Sequence, residues 1–248
     1  MSASPRNTPR NGGRGEGERC HARRHERTES ASITRVTMLE VDTPYGRANV
    51  HLDSADEPRA ALVLGHGAAG GVTSPDLVAV AGVARSEGVS VALVEQPYRV
   101  SGRRAPAPAH HLDAAWTAVV DHLLAGDLRG LALVVGGRSL GARVACRTAE
   151  ATGAVGVLCL AFPLQPPRRS GGSATPSRLH ELDEVTVPTL VVQGARDRFG
   201  IPPATARRTV VQVPGDHSLR KDLQAVAAAV QSWLPPVVAQ AVRSAMPS

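Results

Sequence analysis

The stretch LALVVGGRSLGARVACRTAE constrains the fold of this chain more than any other. Leu131 to Val135 is a short apolar, β-rich run, the pattern of a strand buried on both faces. The chain then turns through Gly136, Gly137, Arg138, Ser139, Leu140 and Gly141. It enters a segment whose apolar residues Leu140, Val144 and Ala151 recur at roughly helical spacing. A serine at such a strand-to-helix turn is held in a strained backbone conformation. The residues two before and two after it must therefore lack bulk, and Gly137 and Gly141 occupy those places. The turn exposes the serine Oγ and sets the Leu140 amide at a helix N-terminus, where the dipole favours negative charge.

The GxSxG spacing alone is weak, and its context carries the argument. Upstream, ALVLGHGAAGG (Ala61 to Gly71) reads as an apolar strand breaking into a small-residue loop. Such a loop brings a backbone N–H close to a substrate carbonyl oxygen, so Ala68 and Leu140 are the expected pair of oxyanion donors. His66 is expected to fix that loop by hydrogen bonding rather than to act as a base. Downstream, Asp197 follows an apolar strand, Thr189 to Gln193, and His217 follows another, Thr209 to Val213. Each of the three lies beyond a strand's C-terminal end, where open α/β sheets gather their chemistry. Ser139, Asp197 and His217, in that order, are the expected nucleophile, orienting acid and general base. Asp216 is poorly placed to replace Asp197, being the sequence neighbour of His217. No metal or organic cofactor is required by such a site.

Taken together, HGAAGG, VEQPYRVSGRR, GGRSLGARVA, LAFPL, VVQGARDRFG and PGDHS resemble the α/β-hydrolase superfamily, in the branch near dienelactone hydrolases. Within it, they are similar to a group containing bacterial hydrolases of unassigned substrate and testis-expressed hydrolase-like proteins. The group also holds the hydrolase-like subunit of the nonspecific-lethal histone acetyltransferase complex. The likeness covers about residues 33 to 236. It implies an α/β-hydrolase fold: a mostly parallel central sheet, helices on both faces and no large cap domain. It implies a serine hydrolase acting on an ester or thioester through an acyl-enzyme. The alternative it implies is a catalytically silent interaction scaffold. Dienelactone hydrolases proper use a cysteine nucleophile where this chain has Ser139, which makes dienelactone an unsafe substrate.

Residues 1–32 are expected to be a disordered Arg/Gly-rich tail, residues 33–236 the folded domain and 237–248 a C-terminal tail. The first 30 residues hold seven of the 28 basic and four of the 22 acidic residues, so the remainder carries only +3. With aromatics at 2% of residues, the folded part offers no stacking platform, and no nucleic-acid partner is expected for it. The tail lacks the apolar region of a secretory signal, and no stretch is expected to approach the ~18 apolar residues a membrane helix needs. A cytoplasmic setting, no membrane and a small-molecule substrate are expected, with the oligomeric state left open. Cys20, Cys146 and Cys159 are widely spaced and expected to be reduced thiols.

Strand–helix alternation predicts a parallel sheet with right-handed crossovers, preceded by two antiparallel strands around Thr43–Gly46. A helix opens at Ser74-Pro75, another spans about His111 to Ala125, and a last one runs Asp222 to Trp233 and stops before Pro235-Pro236. The segment Glu95 to Arg104 reads as a loop on the catalytic face. Its Arg99, Arg103 and Arg104 are the expected clamp for a substrate carboxylate or phosphate, the alternative being a solvated or salt-bridged loop. Arg138 either joins them or pairs with Glu95. Phe162 and Phe199 either line the acyl pocket or pack in the core.

Overall fold

In the computed structural model, residues 36–166 and 176–245 are described. The expected N-terminal tail and Cys20 lie outside them. Eight strands form one sheet in the order β1-β2-β4-β3-β5-β6-β7-β8. The strands are β1 (Val36–Thr43), β2 (Gly46–Asp53), β3 (Ala60–Gly65), β4 (Val89–Glu95), β5 (Ala132–Arg138), β6 (Gly156–Leu160), β7 (Thr189–Gly194) and β8 (Arg208–Val213). From β4 across to β8 every neighbour pair is parallel, whereas β2 runs antiparallel to both β1 and β4. The helices are α1 (Pro75–Ser86), α2 (Pro97–Val100), α3 (Ala109–Ala125), α4 (Leu140–Thr148), α5 (Leu179–Asp183) and α6 (Leu223–Ala245).

Why the central strands read as unbroken apolar runs is plain from their burial. All six residues of β3 and of β7 are buried, because helices cover both faces. Alternation divides each strand between two cores. Ala61, Val63 and Val135 pack with Trp116 and Val119 of α3 and Val144 of α4. Leu62, Leu64 and Val134 face the other way, toward Leu77 of α1 and Val230 of α6. Strand order and parallel pairing together place the C-terminal ends of β3, β5, β7 and β8 along one edge of the sheet.

Three expectations need correction. The last helix does not stop before Pro235-Pro236 but runs through both to Ala245, so residues 237–245 belong to the fold and are not a tail. Leu234, Val237 and Val238 are buried in the continuation. Burying each is worth about 1.5–3 kcal/mol, which offsets the roughly 3 kcal/mol that an interior proline costs. The resulting 23-residue helix is long and apolar enough, by length and composition alone, to cross a membrane. Here its apolar side packs on α1 and β7. Lastly, the segment after β4 is not all loop. Pro97 presets the first position of the one-turn helix α2. Between β6 and β7 the described residues contribute only the short α5 and no large cap.

Candidate active site

Ser139 is the single residue between β5 and α4, at φ 52°, ψ −101°. Its neighbours explain how the chain tolerates that geometry. A Cβ on Gly137 would sit 2.4 Å from the Gly65 carbonyl oxygen, and one on Gly141 would sit 2.3 Å from it. Only glycines let the end of β5 and the start of α4 press onto the end of β3. The Ser139 amide donates to the Leu160 carbonyl at 2.8 Å, anchoring the turn to β6. The side chain makes no capping bond to the helix. Instead its Oγ lies 2.9 Å from His217 Nε2.

His217 Nδ1 is 2.7 Å from Asp197 Oδ2. With the carboxylate ionised, Nδ1 carries the ring proton and Nε2 is left to accept from the serine hydroxyl. Asp197 is itself held by two more donors. The Phe199 amide reaches Oδ1 at 2.9 Å and Gln193 Nε2 reaches Oδ2 at 2.7 Å. Gln193 is fully buried, and its Nε2 also faces the carbonyls of Phe162 and Gly200, each at 3.0 Å. Sequence reasoning passed over Gln193; its signal is a polar residue near the end of an otherwise apolar strand. Phe199 stacks edge-on against the His217 ring, centroids 4.5 Å apart. Asp216 accepts from the Ser218 amide and hydroxyl, at 2.9 and 2.6 Å, shaping the turn rather than the histidine.

The loop after β3 is fixed from within. His66 Nε2 accepts from the Gln96 amide at 3.2 Å, which leaves Nδ1 as donor to the Gly67 carbonyl at 2.8 Å. Burial pushes the His66 pKa down, opposed by its bond to Gly67, and the ring serves as a neutral strut. The Tyr98 hydroxyl donates to the Ala68 carbonyl at 3.1 Å, and burial pushes its pKa up to about 12. Among the described residues, neither the Ala68 nor the Leu140 amide has an acceptor. Both residues line the cavity that opens on Ser139, of about 340 Å³.

The expected arginine clamp lies elsewhere. None of Arg99, Arg103 and Arg104 lines this cavity. Tyr98 of α2 is buried, Arg99 beside it is half-buried, and Arg103 and Arg104 are exposed. Arg103 borders a separate cavity with Tyr45 and Tyr98. Arg138 joins neither the clamp nor Glu95. Its Nε lies 2.9 Å from buried Asp76, and its Nη2 donates to the His217 carbonyl at 3.0 Å. Phe162 is fully buried in the core, while Phe199 does line the cavity. The arginines that line it are Arg143, Arg147 and Arg178. Arg143 pairs with both oxygens of Glu181, Nε to Oε2 at 2.8 Å and Nη2 to Oε1 at 2.5 Å. Arg147 holds Asp113 with bonds of 2.8 and 2.6 Å and reaches Glu181 at 3.2 Å.

The remaining thiols, Cys146 and Cys159, are free and buried, their sulfurs 3.5 Å apart beneath α4. Their mutual hydrogen bond and burial push the Cys146 thiol pKa well up, so it is no nucleophile.

A family profile described as "Alpha/beta hydrolase domain" matches residues 58–233. No curated protein matches the chain. Among solved structures, Est1E from Butyrivibrio proteoclasticus aligns with TM-score 0.67 at 18% identity, over 82% of this chain and 99% of its own. A serine hydrolase without a lid from Xanthomonas campestris aligns at 0.60 and 20%, over 87% and 97%. A dienelactone hydrolase from Anabaena variabilis gives 0.65 and 17%, over 81% and 97%. At these identities the likeness to solved structures speaks for the fold.

Proposed function

The chain belongs to the alpha/beta hydrolase domain family, and from that premise we propose that it is a serine hydrolase cleaving a carboxylic ester or thioester through an acyl-enzyme. One observation carries the reading. Ser139 Oγ, His217 and Asp197 are linked at 2.9 and 2.7 Å beside an open cavity, with two unengaged amides at its wall.

In this reading His217 Nε2 takes the Ser139 proton as Oγ bonds to the acyl carbon. Asp197 orients the imidazole and stabilises its cationic form. The Ala68 and Leu140 amides receive the oxyanion, the latter aided by the α4 dipole. When the intermediate collapses, the acyl–oxygen or acyl–sulfur bond breaks and the leaving group takes the proton from His217. Water then gives a proton to His217 and its oxygen to the acyl carbon, releasing acid and free serine. Arg138, bonded to the His217 backbone, positions the base rather than touching substrate.

Within the family we place the chain near the dienelactone hydrolases, on the sequence motifs around Ala61–Gly71, Ser139, Asp197 and His217. The narrower likeness to testis-expressed proteins and the acetyltransferase-complex subunit rests on those motifs alone.

The test is labelling by a fluorophosphonate probe together with turnover of 4-nitrophenyl butyrate. Wild type should label and turn over, and Ser139→Ala and His217→Ala should lose both. The loss in kcat/KM is expected on the order of 10⁴-fold or more for Ser139→Ala. A folded wild type that neither labels nor turns over overturns the reading and leaves the scaffold alternative.

A further inference from the structure

Among the described residues, the wall of the cavity facing Ser139 holds three arginines, Arg143, Arg147 and Arg178, and two carboxylates reach them. Glu181 and Asp113 are both committed to Arg143 and Arg147 in two-point pairs. Arg178 stands apart. Its Nη1 donates to the Pro163 carbonyl at 3.0 Å, and among the described residues it forms no ion pair. The five groups sum to one uncompensated positive charge, and it faces the cavity. Burial and the charge of Arg143 push the Arg178 pKa down, with Glu181 opposing. A guanidinium that is half withdrawn from water beside two others lacks an anion.

We propose that Arg178 is the receptor for a carboxylate of the substrate, so that this cavity selects an ester or thioester bearing an anionic group. The assignment rests on the hydrolase reading above for its chemistry but not for its binding. Arg143 and Arg147 act as a frame. Locked onto Glu181 and Asp113, they are neutralised and do not compete for the ligand, leaving Arg178's remaining N–H groups as the donors that meet it. The planar fork of arginine suits a carboxylate better than a lysine ammonium would.

Two measurements separate this inference from the hydrolase reading. In the first, Ser139→Ala protein, which cannot turn over, is titrated calorimetrically with monoethyl glutarate and with diethyl glutarate at low salt. The monoanion should bind more tightly, on the order of 10- to 100-fold, as expected of a charge-assisted hydrogen bond in a partly buried site. The preference should collapse in the Ser139→Ala/Arg178→Gln double variant, recover in part with Arg178→Lys, and weaken with added salt. Melting curves check that each variant is folded. In the second, kcat/KM of wild type is compared for mono-4-nitrophenyl glutarate and 4-nitrophenyl butyrate, and for 4-butyryloxybenzoate and phenyl butyrate. The pair showing the larger anionic-to-neutral ratio assigns the carboxylate to the acyl or to the leaving side. That ratio should fall in Arg178→Gln. Equal affinity of the two glutarate esters, or a preference that survives Arg178→Gln, overturns the subsite. Preference in binding with no turnover of any ester upholds the subsite and removes the hydrolase reading.

Discussion

Replacing Gly141 by alanine tests whether the elbow is built by close approach, because the structure gives both the size and the direction of the effect. The added Cβ would stand 2.3 Å from the Gly65 oxygen and 2.4 Å from its carbonyl carbon, both backbone atoms that no rotamer change can move. Restoring ordinary contact requires α4 to slide away from β3 by about 1 Å, a misplacement that can cost about 10²-fold in rate when it reaches reacting groups. Ser139 immediately precedes α4, so the slide disturbs its 2.9 Å approach to His217, which is held separately after β8. Overpacking of this kind costs about 1–3 kcal/mol, and each kcal/mol lowers Tm by roughly 2–4 °C in a domain of this size. Gly82 in α1 is the control, since a Cβ there meets nothing within 4 Å. Gly82→Ala should therefore raise stability by about 0.5–1 kcal/mol, through helix propensity and a less free unfolded chain. The assays are calorimetric melting and hydrolysis of 4-nitrophenyl butyrate. A Gly141→Ala protein with wild-type Tm and activity would refute the packing argument. Lost stability with unchanged kcat/KM would show instead that α4 and the His217 loop move together.

Three further perturbations follow from the same geometry. Ser139 at φ 52° carries backbone strain of about 1–3 kcal/mol, whereas glycine there costs only about 0.5–1 kcal/mol in unfolded-state entropy. Ser139→Gly should thus be inactive yet melt above Ser139→Ala, and the reverse order in calorimetry contradicts the strain. Gln193→Leu removes a donor to the Asp197 carboxylate and should lower kcat/KM on the order of 10- to 100-fold with KM little changed. A wild-type rate would mean that the Phe199 amide alone suffices. At Glu181, burial works to raise the pKa, but hydrogen bonds and charge from Arg143 and Arg147 prevail and hold it below its ordinary value. A depressed folded pKa stabilises above the unfolded value of about 4.3 and loses that contribution as pH falls through the folded one. Wild type should lose Tm on acidification across this window, and Glu181→Gln, less stable at pH 7, should show a shallower decline; parallel profiles would sink the assignment.

What the sequence reveals here is local, and what it hides is contact across distance. Ser139, its flanking glycines and the strands before Asp197 and His217 are legible because each signal sits within a few residues of its cause. The sheet is legible for the same reason: unbroken apolar runs such as Ala60–Gly65 admit few arrangements. Misreading of the arginines has a physical origin. Arg143 and Arg147 are four apart on α4 and share Glu181, which lies 38 and 34 residues further along the chain and on another helix. No spacing rule pairs them. Arg99, by contrast, sits in a segment that looks like a loop until Pro97 is taken as a helix start. The prolines of α6 misled in the opposite sense, since local cost was outweighed by the burial of Val237 and Val238.

The sheet alone does not explain why Ser139 and His217 meet. One follows β5 and the other follows β8, with β6 and β7 between them. Neighbouring strands lie about 4.8 Å apart, so three steps separate the two strand ends by roughly 14 Å. The loop carrying His217 must fold back over the intervening ends, and a loop left to itself is mobile. Arg138 answers this requirement. It is the residue before the serine, its side chain is fixed by the buried Asp76 at the start of α1, and its Nη2 grips the His217 carbonyl. Asp197, just beyond β7 and itself held by Gln193 of that strand, bonds the imidazole Nδ1. The histidine is therefore clamped at its backbone from the strand that precedes Ser139 and at its ring from the strand that precedes Asp197. This explains why a charged residue occupies the variable position of GxSxG here. An uncharged side chain there would fill the space but leave Asp76 buried without its partner and the His217 loop without its tether.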